Sequence, residues 1–384
     1  MSEPADASWG DFAPTREAAL ARLSSFDPHA YARTRNHLAG TVSRLSPYIT
    51  HGMVSVPEVW TVVSDRYRID TTHRFAIELG WREYFQHAWR HDGEGIFESL
   101  HPGPLPDAVY RNGPPDDVLE ARTGVPVVDH AVRELIQTGW LHNHARLWLA
   151  SYLVHIRKIH WRVGADWMVG HLLDGDLASN HLSWQWVTGT GSSKPYLFNA
   201  ENVARFAPRA WHSPRSILDA SYDALDALAR TPPGPADESV RTVGHPDRTG
   251  LHSEPPLGFT RGDARDLDGA WLVHPWALAP PPPGRRAVGV LVAPFHRRWP
   301  WSERRWRFVL AAMRQMTDLV VWCDAPPPRS ARTLANLHLG DWLPEGVGQV
   351  SPRLYADPEQ RCRSFSAFWK RVARGKPARD PSPS

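Results

Sequence analysis

The sequence predicts a mainly α protein: an all-helical domain over residues 15–225, a Pro-rich linker or surface wrap over 226–284, and a small α/β module over 285–384. Three observations predict it. Apolar residues recur at helical spacing through most of the first 230 positions, and strand-type alternation is scarce there. Composition then shifts at Thr231-Pro232-Pro233-Gly234-Pro235, which opens a polar stretch closed by Pro280-Pro281-Pro282-Pro283-Gly284. Beyond it, two short apolar runs flank one helical stretch, the order of a parallel βαβ unit.

The helical periods run through 75–85, 127–136, 144–159 and 167–173. Breakers separate them: Pro102 to Pro106, Gly113-Pro114-Pro115, Thr123-Gly124-Val125-Pro126 and Thr138-Gly139. A proline-stiffened connection follows. In the last module Ala287–Val292 reads as a buried strand, Ser302-Glu303 caps a helix to about Met316, and Leu319–Cys323 reads as the second strand.

At 384 residues the chain is long enough for two domains with sizeable cores. Its 42% apolar and 22% charged residues are those of a soluble globular protein. No apolar run approaches the roughly 18 residues a membrane span needs, and Met1–Asp6 is acidic rather than signal-like. The expectation is a cytoplasmic, monomeric protein with no membrane partner. Two cysteines, Cys323 and Cys362, exclude a four-cysteine zinc or iron–sulfur site within this chain. The balance of 44 basic against 41 acidic residues does not announce nucleic acid. Basic residues are almost all arginine, which suits planar phosphate contacts but equally reflects a coding bias. Nineteen tryptophans are more informative, because indoles serve as core filler, base-stacking platforms or electron carriers.

Four constellations carry chemistry. Asp174-Gly175-Asp176 precedes Asn180, Trp184 and Trp186; with helix from Asp176 onward, Asp176, Asn180 and Trp184 share one face at i, i+4, i+8. A carboxylate, an amide and an indole together suit the wall of a polar aromatic cofactor better than a core. Ser43-Arg44-Leu45-Ser46 sets hydroxyls and an arginine before a turn, a pattern that fits phosphate oxygens and also an ordinary capped turn. Glu78 and Trp81 lie three apart, with Arg82 next; taken alone, an amphipathic helix with a half-buried indole and a surface Glu–Arg pair is the simpler account of them. Asn143 and Arg146 share a face at i, i+3. The neighbouring His142 and His144 lack a dedicated metal spacing, so no metal is expected.

Taken together, residues 30–208 resemble the flavin-binding domain of the photolyase/cryptochrome family. The resemblance rests on Ser-Arg-Leu-Ser, Glu-x-x-Trp-Arg-Glu, Thr-Gly-x-Pro-x-Val-Asp, Thr-Gly-Trp-x-His-Asn, Asp-Gly-Asp and Trp-Gln-Trp in matching order. It implies one FAD, held by Tyr31, Ser43, Arg44, Leu45, Ser46, Arg82, Asn143, Arg146, Asp174, Asp176 and Asn180. It implies damaged DNA, single- or double-stranded, as partner, with the lesion held by Glu78, Trp81, Leu147 and Trp186. Three departures stand out. Only about thirty residues precede the domain where relatives carry an α/β antenna domain, a shorter α/β module lies at the C-terminus instead, and the loop Gly189–Lys194 is short; Val42 also replaces a hydroxyl residue of several relatives.

The implied activity is light-driven repair of cyclobutane pyrimidine dimers by electron transfer from reduced FAD, as a deoxyribodipyrimidine photo-lyase. A cryptochrome-like blue-light photoreceptor is the alternative. Asn180 matches the residue facing flavin N5, where an amide goes with repair and an aspartate with plant cryptochromes. Asn143 and Leu147 stand where photolyases for (6-4) photoproducts carry histidines, which favours the cyclobutane dimer. Trp184 and Trp161 match the first two tryptophans of the family's electron chain; the third aligns near Tyr110.

Overall fold

The computed structural model describes residues 9–234, 250–375 and 377–378. The acidic Met1–Asp6 segment and the 235–249 stretch of the expected linker lie outside the described residues.

The helices start where short polar side chains are available to hold free backbone N–H groups. Ser55 and Glu58 form a reciprocal capping box at the start of Val56–Tyr67. His73 caps Arg74–Asp92, His160 caps Trp161–His171, and Asp176 caps Leu177–Thr188. Asp176 therefore stands just before the helix that the i, i+4, i+8 spacing began with it, yet stays on the same side as Asn180 and Trp184. The apolar stretch 144–159 divides into an α-helix Asn143–Ser151 and one π-turn, Tyr152–Ile156.

In the C-terminal half, Ala287–Val292, the helix Glu303–Arg314 and Val320–Cys323 form the expected βαβ unit with its strands side by side and parallel. The sheet is wider than predicted. Its order is Thr260–Arg261, Val320–Cys323, Ala287–Val292, Trp271–Val273, all parallel. Two of its four strands thus come from the segment expected to be a linker. The reason is local: Leu267, Ala270, Trp271, Leu272 and Val273 are buried, and the prolines, Pro275 among them, flank this apolar run rather than interrupt it.

The module is not an appendage. One buried cluster joins Tyr48, Trp60 and Phe75 of the helical half to Val290, Trp306 and Trp322 of the sheet half. Arg305, wholly buried, crosses the seam and donates to the carbonyls of Val169 (2.8 Å) and Gly175 (2.7 Å) while lying over the Trp301 ring. Two free, buried cysteines complete the picture of a thiol-inert interior. Among the described residues, no helix is long and apolar enough to cross a membrane.

Candidate functional site

A cavity of about 310 Å³ opens between Arg74–Asp92, Asn143–Ser151 and Leu177–Thr188. Tyr31, Ser43, Ser46, Glu78, Trp81 and Arg82 reach it from the first hundred residues. Asn143, Arg146, Leu147, Asp174, Asp176, Asn180 and Trp184 line it from the second hundred. Segments separated by more than a hundred positions are thus gathered around one volume.

The polar groups have defined partners. Arg146 donates from Nε to the Leu141 carbonyl (2.9 Å) and from Nη2 to Asp174 Oδ2 (2.7 Å). The other Asp174 oxygen, Oδ1, is buried and has no hydrogen-bond partner. Asp176 accepts from the Ser179 N–H and from Gln86 Nε2, both at 2.8 Å. Burial pushes its pKa up, but Arg82, His338 and the Ser179 hydrogen bonds outweigh this and leave it below the usual value, so it stays ionised. Asn180 donates Nδ2 to the Ala165 carbonyl (2.9 Å), which fixes the orientation of its amide.

At the mouth, Glu78 lies 3.6 Å from Arg35 Nε. Burial raises its pKa, against the pull of Arg35 and Arg74. Burial likewise raises the Tyr31 phenol. Trp81 stacks at 4.0 Å and 10° on Phe365, from the C-terminal helix Phe365–Val372. Sequence reasoning missed this partner, because nothing local to either residue connects positions 81 and 365.

Four candidates lie off the cavity wall. Leu45 is fully buried in the core, its side chain sealing the turn rather than facing a ligand. Arg44 has a left-handed backbone (φ 52°), pairs with Asp11 and lies over the Trp140 ring at 4.6 Å, so its guanidinium is engaged away from the cavity wall. Trp186 is 42% exposed and packs against Tyr196 on the outer surface. An indole two residues after Trp184 projects about 200° further round the helix, which carries it off the cavity face. Trp161 is buried in the same core cluster as Trp184. Gly164, one turn after it, gives that ring room: a Cβ there would stand 2.4 Å from the Trp184 indole.

His142 and His144 are both held neutral, with pKa values lowered to about 4; burial is the main cause, and nearby His and Arg side chains add to it. Among the described residues the one His/acid group compact enough to share an ion is His87, His91 and Asp357, none of which lines this cavity. A second cavity of about 800 Å³ lies along the seam with the C-terminal module and shares Ile49, Arg82 and Asp176 with the first.

Residues 75–210 match the family described as the FAD binding domain of DNA photolyase. That stretch is similar to the FAD-binding domain of photolyases. The chain is 35% identical over 213 residues to a deoxyribodipyrimidine photo-lyase of Synechococcus, covering 50% of this chain and 43% of that one. It is 35% identical over 170 residues to the enzyme of the same name from Streptomyces griseus, covering 42% and 35%. A rice protein named cryptochrome DASH is 32% identical over 197 residues, covering 47% and 33%. The chain thus spans less than half the length of these relatives.

The cavity fits FAD, the cofactor named in that family's description. An isoalloxazine edge carries an N–H between two carbonyls, and the unpartnered Asp174 Oδ1 beside a guanidinium offers the matching acceptor and donor. Ser43 and Ser46 offer hydroxyls at the rim, and Asn180 offers amide atoms not used in its bond to Ala165.

Proposed function

We propose that this protein repairs cyclobutane pyrimidine dimers in DNA under blue or near-UV light, acting as a monomer with FAD in the cavity beside Asp174, Arg146 and Asn180. The observation that carries this reading is the single cavity that brings the expected cofactor residues together with Glu78 and Trp81. Bound FAD in its reduced, light-excited form supplies the electron that splits the dimer.

The chain's own residues do the rest. Asp174 and Arg146 fix the charge beside the ring, and neutral Asn180 leaves a negative ring uncontested. Glu78, held at the mouth with a raised pKa, offers hydrogen bonds to a base flipped out of the helix, and Trp81 gives that base an apolar wall. Leu147 and Asn143 leave no histidine pair for (6-4) chemistry. With only one expected stacking indole in the cavity, a lesion already unstacked has the advantage, so single-stranded substrates are repaired at least as well as duplex ones. Resting flavin is reduced through Trp184 and then Trp161.

The test is an absorption spectrum of purified protein, then illumination with thymine-dimer oligonucleotides, single-stranded and duplex, under reducing conditions at physiological salt. Flavin absorbance and loss of dimers are expected. A protein that stays colourless after incubation with FAD overturns the reading, and a clear duplex preference overturns the strand assignment.

One observation favours a second reading, a cryptochrome-like photoreceptor. Phe365 already covers a face of Trp81, tying the C-terminal helix to the cavity. In that case light changes the docking of Phe365–Val372 and no dimer is consumed.

A further inference from the structure

Trp161 is buried, and its indole N–H has one partner: Nε1 donates to Ser99 Oγ at 2.9 Å. Ser99 in turn donates its hydroxyl proton to Asp107 Oδ2 at 2.8 Å. Asp107 stands at the surface, its side chain 48% exposed. A serine hydroxyl has one proton to give and accepts through its lone pairs, so the direction of both hydrogen bonds is fixed. The three groups form a continuous path from a buried indole nitrogen to solvent.

Tyr110, the expected third member of the electron chain, is badly placed to end it. Its ring approaches His160 at 6.2 Å, and His160 stacks on Trp161 at 6.0 Å. Yet its buried hydroxyl has no hydrogen-bond partner, and burial pushes its pKa up to about 12. A phenol gives up an electron readily only if its proton leaves too, and although the Asp107 charge is near, no acceptor is hydrogen-bonded to this hydroxyl to take it.

We propose that Ser99 and Asp107 are the proton exit of the photoreduction chain, and that Trp161 rather than Tyr110 is where the oxidising equivalent comes to rest. This rests on the reading that Trp184 and then Trp161 reduce the excited, oxidised flavin. One electron passes from Trp161 to oxidised Trp184, which returns to its neutral state. The Trp161 radical cation, far more acidic than indole, loses its Nε1 proton to Ser99 Oγ as Ser99 passes its own proton to the Asp107 carboxylate. Asp107 releases that proton to water. A neutral indolyl radical remains on Trp161, and without its proton it is a much weaker oxidant, so return of the electron is slowed. A thiol or other external one-electron reductant later restores Trp161, with a proton taken up along the same path.

The experiment is transient absorption and EPR of FAD-loaded protein in H₂O and D₂O, for wild type, Ser99→Ala, Asp107→Asn, Ser99→Thr and Trp161→Phe. The wild type gives a long-lived radical without its indole proton, formed with a solvent isotope effect. In Ser99→Ala and Asp107→Asn the radical keeps its proton, and the yield of the long-lived state falls at least about five-fold. Ser99→Thr, which keeps the hydroxyl, stays near wild type. Dimer repair by chemically pre-reduced protein is unchanged in the serine and aspartate variants, which separates the path from a loss of folding. A deprotonated radical formed at the wild-type rate in Ser99→Ala overturns the proton path while Trp161→Phe still blocks photoreduction. Normal photoreduction in Trp161→Phe overturns the electron route beneath it as well.

Discussion

At the scale of single residues, the two arginines first read as cofactor ligands part company. Arg146 is tied to Asp174 in the cavity wall, whereas Arg44 pairs with Asp11 and lies over Trp140 outside it. Removing Arg146 leaves a buried carboxylate unpaired, a loss that costs about 3–5 kcal/mol for a buried pair. Arg146→Ala is therefore expected to weaken FAD binding by at least about ten-fold, on the scale where 1.4 kcal/mol is ten-fold. Arg44→Ala gives up an exposed ion pair, a contact of about 0–1 kcal/mol, and leaves FAD affinity within about three-fold. Fluorescence titration of both apoproteins with FAD checks the contrast; equal losses would return Arg44 to the cofactor site. Glu78 and Trp81 carry a second contrast. Glu78→Ala is expected to weaken binding of dimer-containing oligonucleotide by about ten-fold, the loss of one charged hydrogen bond, with FAD affinity unchanged. Trp81→Ala lowers repair yield as well, and unchanged repair in both variants would move the lesion pocket elsewhere.

At the scale of elements, the helices that build the cavity were legible because each carries its own period and its own cap. Asp176 before Leu177 and Pro126 after Val125 mark starts that sequence alone can find. The gathering of Asp174, Arg146 and Asn180 was legible through the family resemblance, since spacing on separate helices says nothing of how those helices meet. Two things were out of reach. The strand Trp271–Val273 is only three residues long and sits among prolines, so its apolar run is too short to show a period. The stacking of Trp81 on Phe365 joins positions nearly three hundred apart and leaves no local trace. Gly164 was also silent, although the structure shows what it does. A methyl group there would stand 2.4 Å from the Trp184 ring and 2.5 Å from a second atom of the same ring. Overpacking of this kind costs about 1–3 kcal/mol. Gly164→Ala is expected to lower the melting temperature by several degrees and to slow flavin photoreduction, because Trp184 must shift away from the Trp161 helix. Gly80→Ala, against the Trp369 ring at 2.1 Å, is the control: similar destabilisation without the change in photoreduction. Loss of photoreduction in both variants would place its cause in general loosening.

At the scale of the whole molecule, the two halves share one core, and buried imidazoles kept neutral stand at the seam between them and, as His155, inside the helical half. His274 uses both nitrogens in the neutral form, Nε2–H donating to the Leu334 carbonyl and Nδ1 accepting from the Trp276 N–H. His338 does the same between Asn336 Oδ1 and the Leu177 N–H, which ties the C-terminal module to the Asn180 helix. His296 has neither nitrogen partnered, and His155 leaves Nδ1 bare. Burial is the leading cause in all four: it lowers His155 and His274 to about 4, His338 to about 3 even beside Asp176, and His296 well below its ordinary value. A histidine depressed in the folded state contributes stability that is complete above its unfolded pKa near 6.5 and is lost as pH falls towards the folded value. The window is thus pH 6.5 to about 4, with each group able to remove about 1.4 kcal/mol per pH unit. Urea midpoints should be level above pH 7.5 and then fall, these four groups alone bringing the stability slope towards four protons, about 5 kcal/mol per unit, and His142 and His144 adding to it, so that the two halves unfold together in mild acid. His296→Leu should reduce that slope by about one proton, since an apolar side chain of similar size lies within the ring of Trp276, Trp301 and Trp306 without a group to protonate. A slope below one proton between pH 6 and 5 would mean that the seam imidazoles are already charged in the folded protein, and that the core joining the two halves is wetter than its burial indicates.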